Sequence, residues 1–150
     1  MQSALEELKR VRDQLNSELS RTGLSITEQD FARFFVSQIE SVLKIVSLID
    51  SLEREGKYEE LLSEFLNFTF KVNSIYVYFM QPAVSSMLYT SRFRDHIENF
   101  LNLLNRTASR FILTIKSHYK ELGITNLEFR IGVAPISISI SYSESGGEKK

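Results

Sequence analysis

The sequence predicts a mainly α fold: a helical bundle of four to five helices that carries a small C-terminal antiparallel β-hairpin. Three observations lead there. Apolar residues recur at spacings of three and four over most of residues 1–123; Gly23, Gly56, Pro82 and Gly123 punctuate that repeat; and beyond Gly123 the period drops to two. The expected organisation is a bundle domain over residues 1–123, a hairpin appendage over 124–144 and a disordered polar tail over 145–150.

In the first element, Ser3 and Glu6 make a capping-box pattern, and Leu5, Leu8, Val11, Leu15 and Leu19 follow until Thr22-Gly23. Its apolar stripe is narrow, so this helix is expected on the surface. Thr27 is the expected cap of the second helix, which ends at Gly56. Phe31, Phe35, Ile39, Val42, Val46 and Ile49 are among the apolar positions that spread over a wide arc of it, the mark of a helix packed on more than one side.

The third helix runs from about Tyr58 toward Gln81, where Pro82 interrupts it. Leu61, Phe65, Phe68, Val72, Ile75, Tyr76 and Phe79 form one face; Leu66, Phe70, Asn73 and Val77 form a second. Two such faces suit the central helix of a bundle, or a helix whose Phe70, Val77 and Tyr78 meet a neighbouring subunit. Pro82 to Leu88 reads as a short helical turn, and Thr90 or Ser91 as the start of a long amphipathic helix ending at Leu122-Gly123. Beyond it Leu127, Phe129, Ile131 and Val133, then Ile136, Ile138, Ile140 and Tyr142, alternate with polar or small residues, as the two strands of a hairpin would.

At 150 residues with 43% hydrophobic content, one domain can bury a sizeable core, roughly 68–70% of the surface of the unfolded chain, without staples. Cysteine is absent, which removes disulfides, thiolate metal sites and cysteine nucleophiles and fits a reducing cytoplasm. The opening is charged from Glu6 onward, unlike a signal peptide, and no apolar run approaches the ~20 residues of a membrane span. The expectation is a cytoplasmic protein with no membrane partner.

The chemistry-bearing motifs are missing. His96 and His118 stand far apart with no carboxylate at metal-ligand spacing, and no phosphate-binding glycine loop, dinucleotide fingerprint, HExxH or GxSxG pattern occurs. Carboxylate pairs such as Glu53/Glu55 and Glu59-Glu60 fall at helix ends, where they serve the helix dipole. The expectation is a non-enzyme with no cofactor and no metal.

Charge is more informative than its net value of −1. Residues 1–64 hold 13 acids against 8 bases, whereas residues 65–120 hold 2 acids, Asp95 and Glu98, against 7 bases. Those bases are Lys71, Arg92, Arg94, Arg106, Arg110, Lys116 and Lys120, and no acid falls between Asn99 and Lys120. On the last helix Arg92, Arg106, Arg110, Lys116 and Lys120 share the side opposite the apolar residues with Asn99, Asn102, Ser109 and Ser117. Cations neutralise phosphates while amides and hydroxyls hydrogen-bond phosphate or ribose, so the stripe suits backbone contact without sequence reading. A hydrated basic face would look the same.

These features together resemble the small helical subunit of class 1 CRISPR effector complexes. ITEQDFARFFVSQIESVLKIV looks like the capped opening helix of the type III small subunit, LNFTFKVNSIYVYF like its middle helix with lysine and aromatics, and FLNLLNRTASRFILTIKSHYKELG like its closing helix. The resemblance spans about residues 25 to 122. It implies a non-catalytic subunit of an RNA-guided antiviral ribonucleoprotein, stacked on copies of itself and other subunits along guide RNA and target nucleic acid. By the same resemblance Lys71, Arg92, Arg94, Arg106, Arg110, Lys116 and Lys120 would touch the nucleic-acid backbone, with Arg33 a weaker candidate. The alternating segment 127–143 departs from the purely helical type III members and is more like the added β element of some archaeal type I small subunits. The alternative is a homo-oligomeric helical interaction protein, or a viral or plasmid structural protein, with no nucleic-acid role.

Overall fold

The computed structural model describes residues 2–21, 23–84, 86, 93–118, 123–130 and 137–142. Four long helices dominate: α1 (Gln2–Leu19), α2 (Ile26–Arg54), α3 (Tyr58–Met80) and α4 (Arg94–His118). Residues 82–84 and Ser86 are also helical, where a short turn is expected after Pro82. The expected start of the last helix at Thr90 or Ser91, its end at Leu122 and the tail 145–150 lie outside the described residues.

Local chemistry sets the helix ends. Ser25, not Thr27, caps α2: its hydroxyl accepts from the Glu28 amide at 3.1 Å while the Glu28 carboxylate accepts from the Ser25 amide at 3.1 Å. Ser3 is not a cap either, because it lies within α1, whose described span opens at Gln2. α2 closes in a left-handed turn at Gly56 (φ 71°), with the Gly56 amide donating to Glu53 O (3.2 Å) and the Lys57 amide to Leu52 O (3.0 Å). A side chain at this φ would be strained, which is why the three-residue connection to α3 uses glycine.

The four helices form a closed ring in which α1 packs on α2 and α4, and α3 packs on α2 and α4. Neighbours run antiparallel: Ser3 meets Arg110 and Glu7 meets Arg106, while Tyr58 meets His118 and Tyr76 meets Asn105. α1 is thus a full member of the bundle, with Leu8 and Leu15 completely buried, and only its outer face is the surface feature the sequence suggested. Two aromatic clusters fill the interior. Phe35 meets Phe79 of α3 at 5.8 Å and Phe100 of α4 at 5.2 Å between ring centroids, and Phe111 packs edge-on to Phe65 (5.7 Å) and Phe68 (5.0 Å). Buried Thr69 and Thr107 satisfy their hydroxyls on the carbonyls of Phe65 and Leu103 one turn back, at 3.0 and 2.8 Å.

After Gly123 (φ 71°), Ile124–Arg130 (β1) pairs antiparallel with Ser137–Tyr142 (β2), with Leu127 opposite Ile140 and Phe129 opposite Ile138. The connection between them lies outside the described residues.

Phe100 is fully buried and bridges α4 to α2 across the bundle. Replacing it with alanine should cost about 3–5 kcal/mol of unfolding free energy. Denaturant titration followed by circular dichroism measures this, and a loss under ~1 kcal/mol would show that the cluster does not carry the core.

Candidate nucleic-acid interface

The narrow apolar stripe of α1 decides what lies beside it. Ala4, Leu5, Leu8, Val11 and Leu15 are buried, so α1 meets α4 along a thin line and the polar residues flanking that line come face to face. Between the two helices runs a surface groove of about 680 Å³, with Arg10 and Gln14 on the α1 side and Asn99, Asn102, Asn105 and Arg106 on the α4 side. A second pocket of about 360 Å³ continues along the same seam, where Ser3 and Ala4 face Ser109 and Arg110. Arg106 and Glu7 line both.

Three polar contacts touch the groove walls. Arg106 Nη2 lies 3.6 Å from Glu7 Oε2, and Arg110 Nη1 donates to Ser3 Oγ at 2.6 Å. On the far side of α4, the Tyr76 hydroxyl donates to Asn105 Oδ1 at 2.9 Å and so sets which way that amide points. Amides at 99, 102 and 105 repeat every third residue, a rise of about 4.5 Å per step, and give the α4 wall a row of donors and acceptors.

The structure does not bring all the sequence-predicted cations together. Arg106 and Arg110 lie one helical turn apart in the α1–α4 seam. Arg94 stands three turns earlier, roughly a third of a turn round α4, and its guanidinium Nε is held by Glu98 at 3.1 Å. Lys116 is exposed on α4 but lines neither part of the groove. Lys71 is half-buried on α3, one heptad before Tyr78, on the side that turns to α2. Arg33 pairs with Asp30 at 3.7 Å. Arg92 and Lys120 lie outside the described residues. Arg10 and Gln14 were missed by sequence reasoning, because it weighed the charge of each helix alone; Arg10 is one residue before Val11 of the α1 stripe, a position that flanks whichever helix α1 packs against.

The interface residues expected on α3 divide. Phe70 is 79% exposed and Val77 55%, and with Leu66 (42%) and Met80 (63%) they form an outward stripe on α3. Tyr78 turns the other way and packs on Phe34 of α2 at 4.3 Å between centroids, as an intramolecular contact.

Among the described residues no group of His, Asp or Glu could hold a metal ion, and no helix is long and apolar enough to cross a membrane. His118 stacks on Tyr58 at 3.7 Å, joining the end of α4 to the start of α3. Glu53 accepts from the Thr114 hydroxyl at 2.9 Å and so links α2 to α4. No protein-family model, curated protein or solved structure matches the chain.

Burial pushes the Tyr76 and Tyr78 phenols above their ordinary 10.0. A group whose pKa is raised on folding contributes stability that is complete below about pH 10 and is lost as pH climbs through the folded value. Ultraviolet titration should show at least two tyrosines ionising late, and Tyr76→Phe should remove one of those late steps and soften the fall of stability above pH 10; an unchanged titration would contradict the burial of Tyr76.

Proposed function

We propose that this chain is a non-catalytic, nucleic-acid-contacting subunit of a cytoplasmic ribonucleoprotein, of the kind its helices resemble, the small helical subunit of a CRISPR effector complex. The observation that carries this reading is the α1–α4 groove, where Arg10, Arg106 and Arg110 line the walls together with a row of amides and, among the described residues, Glu7 is the one acidic side chain lining it. Cations spaced along a groove neutralise successive phosphates, and amides and hydroxyls hydrogen-bond phosphate and ribose oxygens. Among the described residues no aromatic side chain lines the groove, so bases find no stacking platform there and the contact is to backbone, without sequence preference. Arg94 and Lys116 would extend it to flanking phosphates, and Lys71 would serve a different surface.

Replacing Arg106 and Arg110 together by glutamate should abolish binding of a short RNA or single-stranded DNA while leaving the helical circular dichroism intact. Binding at the parent's affinity would refute the reading.

The second reading is a homo-oligomeric interaction module, and the outward stripe of α3 favours it. Leu66, Phe70, Asn73, Val77 and Met80 are spaced four, three, four and three, the pattern of a helix seam that accepts another helix. In this reading the paired strands at 124–142 are a hairpin appendage that adds to a partner, since a lone hairpin is marginal in water. The two readings are compatible: α3 lies diagonally across the bundle from α1, so a dimer through the stripe leaves the groove open. Val77→Asp, or deletion of residues 126–150, should lower the mass measured by light scattering; a parent-like mass in both variants argues against the stripe and the hairpin as contacts.

A further inference from the structure

Glu7 stands out because it opposes the groove's own chemistry. It lines both parts of the seam, and its carboxylate sits 3.6 Å from the Arg106 guanidinium, within ion-pair distance. The pair is open to water, with Glu7 36% and Arg106 66% exposed at the side chain, so it is worth little to the fold. Arg10, by contrast, has no ion-pair partner among the described residues, and Arg110 is held by a neutral hydroxyl.

We propose that Glu7 is an internal competitor for the polyanion, a carboxylate that occupies Arg106 until a phosphate displaces it. This rests on the groove being the nucleic-acid site proposed above. The consequence is selectivity by valence. A lone anion reaching Arg106 must displace Glu7 for a single contact, whereas a polyphosphate backbone already held by Arg10 and Arg110 makes the exchange as an intramolecular step. α1 therefore contributes both an attracting cation and a screening acid, and its register against α4 sets the threshold for binding.

The test compares Glu7→Gln, Glu6→Gln, Arg106→Gln and the Glu7→Gln/Arg106→Gln double variant in binding to a polyuridylate RNA at fixed ionic strength. Glu6 is an exposed acid on the same helix but lines neither part of the seam, so it reports the general effect of removing one negative charge. Glu7→Gln should tighten binding by about two- to fivefold, the size expected of an exposed ion pair, and the gain should vanish in the Arg106→Gln background. Equal gains from Glu6→Gln and Glu7→Gln, or a gain that survives loss of Arg106, would overturn the competitor role while leaving the groove's function standing. If Arg106→Gln and Glu7→Gln both bind as the parent does, or if no form binds, the nucleic-acid reading fails and the competitor role with it.

Discussion

A four-helix ring closes only when its first and last helices find each other, here across the 107 residues that separate Ser3 from Arg110. The entropy of joining distant segments grows slowly with length, so closure is decided by what the two helices bury. α1 brings little. Its apolar stripe is one or two residues wide, and α4 must divide its apolar arc among α1, α3 and the aromatic centre. The seam is therefore thin, and polar residues crowd its edges. A wider stripe on α1 would have covered those edges with apolar side chains and left no groove, so the site follows from the least hydrophobic helix of the bundle.

Aromatic contacts hold the other three helices to one another. Phe35, Phe79 and Phe100 tie α2, α3 and α4 together at one level, and Phe65, Phe68 and Phe111 join α3 to α4 at another. Fully buried aromatics of this size dominate core energetics, and edge-on packing adds to their area burial. With three helices fixed in this way, α1 need only dock. The same division leaves Leu66, Phe70, Val77 and Met80 exposed on the outer side of α3, since its inner face already fills the core.

Much of this could be read from the chain. Gly56 ends α2 with positive φ, as the turn position in the sequence suggested, and the wide arc of α2 does face more than one neighbour. The cap of α2 was misread at Thr27 although Ser25 and Glu28 stand at capping-box spacing, because the acidic first turn suits either start. Ser3 was misread for a deeper reason: its hydroxyl serves Arg110, a partner that no local pattern announces. The groove was half legible. Arg106, Arg110 and the amides could be assigned to one side of α4 by periodicity, but Arg10, Gln14 and Glu7 join them only through the α1–α4 pairing, which is tertiary information. Lys71 and Arg94 were grouped with the others by the charge count and the resemblance alone, and neither says which helix lies beside a given cation.

The central claim is that the α1–α4 groove holds a phosphate backbone through Arg10, Arg106 and Arg110, and the salt dependence of RNA binding tests it most directly. Three phosphates neutralised on a single strand predict that the logarithm of the binding constant falls against the logarithm of salt concentration with a slope of about −2. A slope near that value, reduced when any one of the three arginines is replaced, is the result the account predicts. A slope near zero, or one indifferent to all three arginines, would contradict it.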